Sequence, residues 1–425
     1  MVLGLNWQAV LQGVAWVTLL SWLLIAGLTW RGLRRRPRLT IPPDGDSELS
    51  GEVAPPPLVS ILVPARNEAG RVLREALRSM LAQDYGRFEI VAVNDRSTDP
   101  TGIILQELAL ADSRLIVIEG AEPPAGWLGK PFALRQAEEA ARGSWLLATD
   151  ADMIFDSRLL RAAMRCALAG GYDALTLIPR VDCPTFWERV FVPTFGFFMA
   201  LGMPVERVND PRRKESLGVG GFFLMRREAL AAVGGYGALA REVAEDLSLA
   251  ERLKKSGARL RVEYATEFLR TRMHPNLGGI WEGFTRNLFA GLKFSPARGV
   301  AGFVGLLLFH IAPPLLALLC AVMWATVNET RGFWFDFIRP LALVWLTQVF
   351  TFSIINRSAG VPVGYALTVP LGTALFAAIL LNSMSKILSG RGVVWKGRKV
   401  YERGAGRPLP PASRGRNQHE FSTHD

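Results

Sequence analysis

From Leu58 to about Arg270, short apolar runs alternate with amphipathic stretches, and no other feature restricts the possible folds as much. The runs Leu58–Pro64, Phe88–Asn94, Leu115–Ile118, Trp145–Thr149 and Ala174–Ile178 are expected strands. Between them, Gly70–Ala82, Pro100–Ala111, Pro131–Ala141 and Ser157–Ala169 have helical spacing. Continuous apolar strands alternating with helices predict an α/β fold, a mostly parallel sheet covered by helices on both faces. Ligands bind such sheets beyond the carboxyl ends of the strands, so residues that carry chemistry should sit just after strands.

Apolar segments flank this region. Leu5 to Trp30 contains about twenty mostly apolar residues, the length that crosses a hydrocarbon core, and Arg31, Arg34, Arg35, Arg36 and Arg38 follow at once. A cleaved signal peptide carries its charge before the apolar run, so residues 1–30 read as an uncleaved transmembrane anchor with a cytoplasmic C-terminal end. Residues 31–57 read as a linker, rich in Pro, Gly and acids from residue 40 onward. Residues 58–272 are then the expected cytoplasmic catalytic domain.

Within 273–299, Leu277, Ile280, Trp281, Phe284, Leu288 and Leu292 form an apolar face punctuated by Arg272, Arg286, Lys293 and Arg298. That pattern predicts an amphipathic helix in the membrane interface with Trp281 as its anchor, although it also fits an ordinary core helix. Residues 300–388 form a C-terminal transmembrane region of three apolar segments, near 300–326, 338–356 and 361–385, the first interrupted by Pro313-Pro314. The basic tail, 389–425, argues for a cytoplasmic C-terminus. Three full crossings from a cytoplasmic domain would put it outside, so either the Pro-Pro segment is re-entrant or one crossing fewer occurs.

The chain of 425 residues carries a net charge of +11, read here as topology and attraction to anionic lipid. Basic residues are not interleaved with aromatics in a stripe, which excludes nucleic acid as a partner. Cys166, Cys183 and Cys320 are far apart, lack metal-ligand spacing and suit a reducing compartment.

Acidic clusters fall where the strand-end rule requires. Glu68 lies in Pro64-Ala65-Arg66-Asn67-Glu68 after the first strand, Asp95 follows the second, and Asp150-Ala151-Asp152 follows the fourth. Each alone has a bland reading, a solvated loop acid or, at Thr98 or Asp99, a helix cap. Their joint placement at one rim is the functional signal. In an extended segment Asp150 and Asp152 point the same way, and two hard oxygen donors suit Mg²⁺ or Mn²⁺ completed by waters and substrate phosphates. Lys130, in a Gly-flanked loop just before a helix, could face a phosphate leaving group. Asp246, in Ala244-Glu245-Asp246 before a helix, is the expected general base. Gly220, Gly221 and Phe222 allow close ligand approach and aromatic stacking, or a tight turn into a buried strand.

In this order, the stretches VSILVPARNEA, FEIVAVNDRSTD, LGKPFAL, WLLATDAD, GVGGFFLMRREALAAVGGY and AEDLSLAERLKKSG resemble family 2 glycosyltransferases of the GT-A fold, over roughly residues 58 to 295. The resemblance implies a Rossmann-like sheet and an inverting hexosyltransferase. Pro64, Glu68 and Asp95 would contact the nucleoside, usually uridine; Asp150 and Asp152 would be the metal motif and Asp246 the base. Arg66, Lys130, Asp150, Glu245 and Arg286 complete the expected nucleotide-sugar contacts, and Gly220, Gly221, Phe222 and Trp281 the acceptor region. Two departures stand out. Asn94-Asp95 replaces the usual Asp-Asp. The Gln-x-x-Arg-Trp motif of processive synthases is reduced to Gly283-Phe284-Thr285-Arg286-Asn287, which argues against polymer synthesis. The layout and the tail Trp395-Lys396-Gly397-Arg398 are similar to ceramide glucosyltransferases and to the hopanoid-associated and carotenoid transferases. The expected partners are therefore a UDP-sugar, UDP-glucose first, a lipid acceptor and the plasma membrane.

Overall fold

The computed structural model describes residues 7–41, 55–395 and 398–399. Helix α1 (Trp7–Arg35) leads to β1 (Val59–Ala65), β2 (Phe88–Asn94), β3 (Leu115–Glu119) and β4 (Trp145–Ala148), all parallel. Beyond them come β5 (Met153–Phe155), β6 (Ala174–Ile178), β7 (Arg180–Val181), β8 (Phe223–Arg226), β9 (Leu260–Tyr264) and β10 (Leu269–Thr271). β8 pairs antiparallel with β4 and β6, and β6 pairs parallel with β9, giving the order β3-β2-β1-β4-β8-β6-β9. The remaining three form a small sheet, β5-β10-β7. The α/β expectation holds, with the reversed β8 as an insertion the apolar runs had not separated from their glycine-rich lead-in.

The strands are apolar on both faces because both are covered. Val59, Ile61 and Val63 of β1 face one core with α2 (Leu73–Leu81), α3 (Thr101–Ala111) and, further along the chain, a third helix at 159–169. Leu62, together with Val91 and Val93 of β2, faces the other core, built on α4 (Gly129–Ala140). The chain continues through α5 (Leu159–Ala169), α6 (Phe186–Gly202), α7 (Val205–Asn209), α8 (Arg227–Ala232) and α9 (Glu245–Lys255), the last packing into the second core through Leu249, Ala250 and Leu253. Neighbours of β1 diverge in sequence: β2 lies on one side and β4 on the other. That reversal opens a crevice at the carboxyl ends of β1 and β4.

The expected linker is not free along its described part. α1 runs to Arg35, and Leu39 N–H donates to the Tyr264 carbonyl while Tyr264 N–H donates to that of Pro37, both at 2.9 Å. Arg38 thereby extends the sheet at β9, whose outer edge would otherwise leave backbone groups unpaired. Residues 42–54 lie outside the described residues.

After β10 come α10 (Leu277–Gly291), α11 (Pro296–Gly305), α12 (Ala312–Thr326), α13 (Arg331–Ala359) and α14 (Val369–Leu388). Four stretches, Trp7–Arg35, Pro296–Thr326, Asn328–Ala359 and Val363–Leu388, are long and apolar enough to cross a membrane. Ala15 packs with Ala317, Cys320, Phe337 and Leu341 at one end of the bundle, and Arg36 donates to Ser358 at the other. α13 therefore runs parallel to α1, and α11–α12 runs against both.

α14 behaves differently. Near its start, Tyr365 meets Arg189 of α6, and Gly372 lies against Val190 and Thr194 of α6. At its end Asn382 and Ser383 bond Thr285 of α10, and Met384 packs on Gly299 near the start of α11. Both ends thus lie on the side of the sheet domain. α14 adds no lengthwise pass, and Val393 beyond it packs back with α10. The short strands β11 (Val394–Trp395) and β12 (Arg398–Lys399) pair antiparallel there, and residues 400–425 lie outside the described residues.

Ile280, Phe284 and Leu288 of α10 are buried against α6 and α14, including Phe191 and Phe376, so protein rather than lipid covers that face; Trp281 is 36% exposed. The Pro-Pro break is absorbed inside the bundle. Leu306–Ile311 widens to a π-turn, and neither Pro313 nor Pro314 can donate to the Phe309 carbonyl in an α or a π pattern. Trp22 Nε1 (2.8 Å) and Gln348 Nε2 (3.0 Å) donate to it instead, tying α1 and α13 to the break.

Candidate active site

The loops after β1 and β2 brace each other. Asn67 and Arg96 take left-handed conformations, φ 50° and 53°, which turn the chain sharply at both strand ends. Asn67 Oδ1 accepts from Thr98 N–H at 2.8 Å, and Thr101 Oγ1 accepts from Glu68 N–H at 2.8 Å. Asp99 accepts from Thr101 N–H and from Ala69 N–H, both at 3.0 Å, so the expected cap also clamps the two loops. Glu68 and Asp95 are buried at this rim, and Pro64 pairs with Val93 just behind it. Asp95 lies between two guanidiniums: Arg96 at 2.9 Å and Arg66 at 4.0 Å, the latter also donating to the Asp95 carbonyl.

At the end of β4 the charges converge. Lys130, second residue of α4, puts its Nζ 2.7 Å from Asp150 Oδ1 and 2.6 Å from Glu245 Oε1. Asp246, at the start of α9, accepts from Gly220 N–H on Oδ2 and from Leu247 N–H on Oδ1, each at 2.8 Å. A Cβ on Gly220 would lie 3.2 Å from Asp246 Oδ2, 3.3 Å from Lys130 Nζ and 3.5 Å from Asp150 Oδ2. Any side chain at this position would crowd the tips of three charged groups, so a residue without a Cβ leaves them room. On the other side of Asp150, Asp152 Oδ2 is 2.8 Å from Arg71 Nη2, and Arg71 Nη1 is 3.5 Å from Glu68 Oε2.

The electrostatics follow from this crowding. Burial disfavours the Lys130 charge, but Asp150, Glu245 and Asp246 outweigh it and hold the ammonium well above its usual range. Burial also works against the Asp150 charge; Lys130, then Arg286 and Arg71, reverse the effect and lower its pKa. Asp152 is pushed up to about 6 by burial and by the neighbouring Asp150 charge. Asp246 is raised to about 6 by burial and then by Glu245, against the pull of Lys130.

Residues 60–234 match the model of the glycosyl transferase family 2 domain. The chain carries a family 2 glycosyltransferase domain. It is 36% identical to glycosyltransferase AglD of Haloferax volcanii over 124 residues, 28% of this chain and 19% of that protein. Against beta-monoglucosyldiacylglycerol synthase of Synechocystis it is 29% identical over 246 residues, 56% of this chain and 49% of the relative. The chain thus spans half or less of the length of these curated relatives. Among solved structures, the mannosyltransferase PcManGT from Pyrobaculum calidifontis, in complex with GDP-Man and Mn²⁺, is 18% identical with a TM-score of 0.48, covering 88% of this chain and 98% of that one. The sheet of the family 2 domain and its flanking helices form a GT-A-like α/β fold.

The donor set of the family 2 domain fits a divalent cation of the hard type. Asp150 and Asp152 are near enough for one charge to perturb the other, and each is held by a different cationic side chain. Among the described residues no group of three or more His, Cys, Asp or Glu forms a ready-made cage. The remaining ligands would come from phosphate oxygens and water, the usual arrangement for Mg²⁺.

Not every expected site residue joins the cluster. Phe222 is fully buried and packs on Phe155 at 5.7 Å, so it cannot stack on a ligand; it turned inward because it leads straight into β8. Gly221 meets Met153 rather than open space. Arg286, on α10, acts on Asp150 through its charge. Three residues escaped sequence reasoning. Arg71 lies one turn past Glu68. His274, lowered to about 4 by burial and then by Arg71 and Arg286, packs on Gly283 and Phe284 of α10. Tyr236 is buried within the electrostatic reach of Glu245 and Lys130. A Gly-Tyr turn or a lone His has no spacing signal that separates it from ordinary core.

Proposed function

We propose that the chain transfers a single hexose, with inversion, from a uridine-diphosphate sugar to a lipid acceptor at the membrane surface. The observation that carries this reading is the cluster of Lys130, Asp150, Glu245 and Asp246 at the carboxyl end of β4, in a chain that also carries four membrane-length helices. Pro64, Arg66, Glu68 and Asp95 would hold the nucleoside end of the donor. Asp150 and Asp152 would hold Mg²⁺ or Mn²⁺, which supplies charge neutralisation at the diphosphate. Lys130, at a helix N-terminus, adds a fixed positive charge where the leaving group develops negative charge. Asp246 takes the proton from the acceptor hydroxyl as its oxygen attacks the sugar carbon. Gly220 and Trp281 remain on the acceptor side of the reading. The relatives include a protein named for glucosyl transfer to diacylglycerol, and that name supports a membrane lipid as the acceptor class. The basic end of α1 supports placing the domain on the cytoplasmic side of the cell membrane.

The test is transfer by purified protein in lipid nanodiscs, with Mn²⁺ and UDP-glucose, UDP-galactose or GDP-mannose, against diacylglycerol, ceramide and total lipid extracts. A lipid heavier by one hexose is the expected product. Products carrying a ladder of sugars would favour a processive synthase, and nucleotide release that is the same without any lipid would remove the lipid acceptor.

A further inference from the structure

We propose that Arg71 is a resident counter-cation of the candidate metal pair, a positioning residue that holds Asp152 until a divalent cation and the donor diphosphate take over that carboxylate. The proposal rests on the reading of Asp150 and Asp152 as cation ligands.

The Arg71 guanidinium ties together three separate segments. Nη2 is 2.8 Å from Asp152 Oδ2 and donates to the carbonyls of Arg272 and Met273 at 3.0 Å each, while Nη1 reaches Glu68 at 3.5 Å. Nη2 has two hydrogens and three acceptors. Its bond to Asp152 can therefore be given up without orphaning the guanidinium, because the two carbonyls keep both hydrogens occupied. Lys130 lacks this freedom, since its contacts are the carboxylates of Asp150 and Glu245 themselves. Arg71 is anchored at its own backbone, where its N–H donates to the Glu68 carbonyl at 3.0 Å, so the side chain can turn without moving the loop.

Two consequences follow. Without a guanidinium beside it, Asp152 faces the Asp150 and Glu68 charges with less compensation. With it, an arriving dication meets a like charge next to the oxygen it must bind. Arg71 thus orders Asp152 at the cost of cation affinity. Its carbonyl partners, Arg272 and Met273, precede His274 and α10, so the same guanidinium fixes where the membrane-side helix begins relative to the acids.

The experiment is Mn²⁺ titration of the full-length protein in nanodiscs with UDP present and no acceptor, read by electron paramagnetic resonance of free Mn²⁺. Arg71→Gln should bind Mn²⁺ about tenfold more tightly than wild type, equivalent to roughly 1.4 kcal/mol, while hexose transfer at saturating Mn²⁺ falls in kcat. Arg71→Lys keeps the charge and should leave Mn²⁺ affinity within about threefold of wild type. If Arg71→Gln melts below wild type, Arg71→Met, which keeps the apolar stem, repeats the titration. Neutral variants that bind Mn²⁺ no more tightly than wild type overturn the proposal and leave the metal reading intact. Wild-type protein that binds no Mn²⁺ with UDP overturns the metal reading and the proposal with it.

Discussion

The Gly220 amide donates to the Asp246 carboxylate at 2.8 Å across 26 residues of chain. This bond fixes the carboxylate at the start of α9 against the end of β4, where Lys130 and Asp150 meet. The other carboxylate oxygen accepts from Leu247 N–H in the first turn of α9.

Replacing Asp246 tests whether that orientation serves catalysis. Asp246→Asn keeps an acceptor for Gly220, so the fold and donor binding should survive. Hexose transfer should fall by about 10²- to 10⁴-fold, the usual worth of a general base. Donor binding by calorimetry and turnover by product mass separate the two effects, and turnover near wild type would remove Asp246 as the base.

Lys130→Ala strands Glu245, 4% exposed, beside Asp150 with no positive partner. Breaking a fully buried pair costs about 3–5 kcal/mol, but the Lys130 side chain is 39% exposed, so solvent screening reduces the loss to about 1–2 kcal/mol. The variant should melt lower and show weaker UDP binding. Unchanged UDP affinity would separate Lys130 from the diphosphate.

Acid stability should depend on Glu89. Burial disfavours its charge, but Ser60 and Arg142 donate to the carboxylate at 2.7 Å and hold its pKa below the usual range. A carboxyl depressed on folding stabilises the protein above its unfolded value, about 4.3. That contribution is lost as pH falls through the lower folded value. Glu89→Gln should cost about 1–3 kcal/mol at pH 7, as expected for hydrogen bonds to a charged group. Melting curves of the two forms should converge as the pH drops below about 4; a gap that does not change with pH would assign the effect to packing.

The bundle prediction concerns the Phe309 carbonyl. Gln348→Leu removes one of its donors, with an expected cost of about 0.6–1.7 kcal/mol for a bond inside a membrane bundle. In a Pro313→Ala background a backbone N–H becomes available, so the same change should cost less. A double-mutant cycle by unfolding in bicelles measures the coupling; strictly additive effects would show that Gln348 does not compensate for the prolines.

Much of the domain was legible in order along the chain. β1, β2, β4 and β6 carry mostly apolar runs because two cores flank the sheet, and Glu68, Asp95 and Asp150 follow strand ends because parallel strands place their carboxyl ends at one rim. The sequence leaves Phe222 open between ligand and core, because an aromatic after glycines looks the same in either setting. The sequence leaves α10 open between membrane interface and core, because amphipathic spacing reports that one face is covered and says nothing of what covers it. Arg71 was invisible, since arginine in a loop is common and the carbonyls it bonds lie 201 and 202 residues away.

The sequence by itself determined the alternation, the strand-end acids and the apolar lengths, all of which depend on neighbours a few residues apart. Tertiary structure alone decided which acid meets which cation, that α14 returns to the domain's side, and that three segments share one guanidinium. Those outcomes depend on contacts between residues distant in the chain. Local propensity and periodicity do not encode such contacts; packing of the two cores and the helical bundle does.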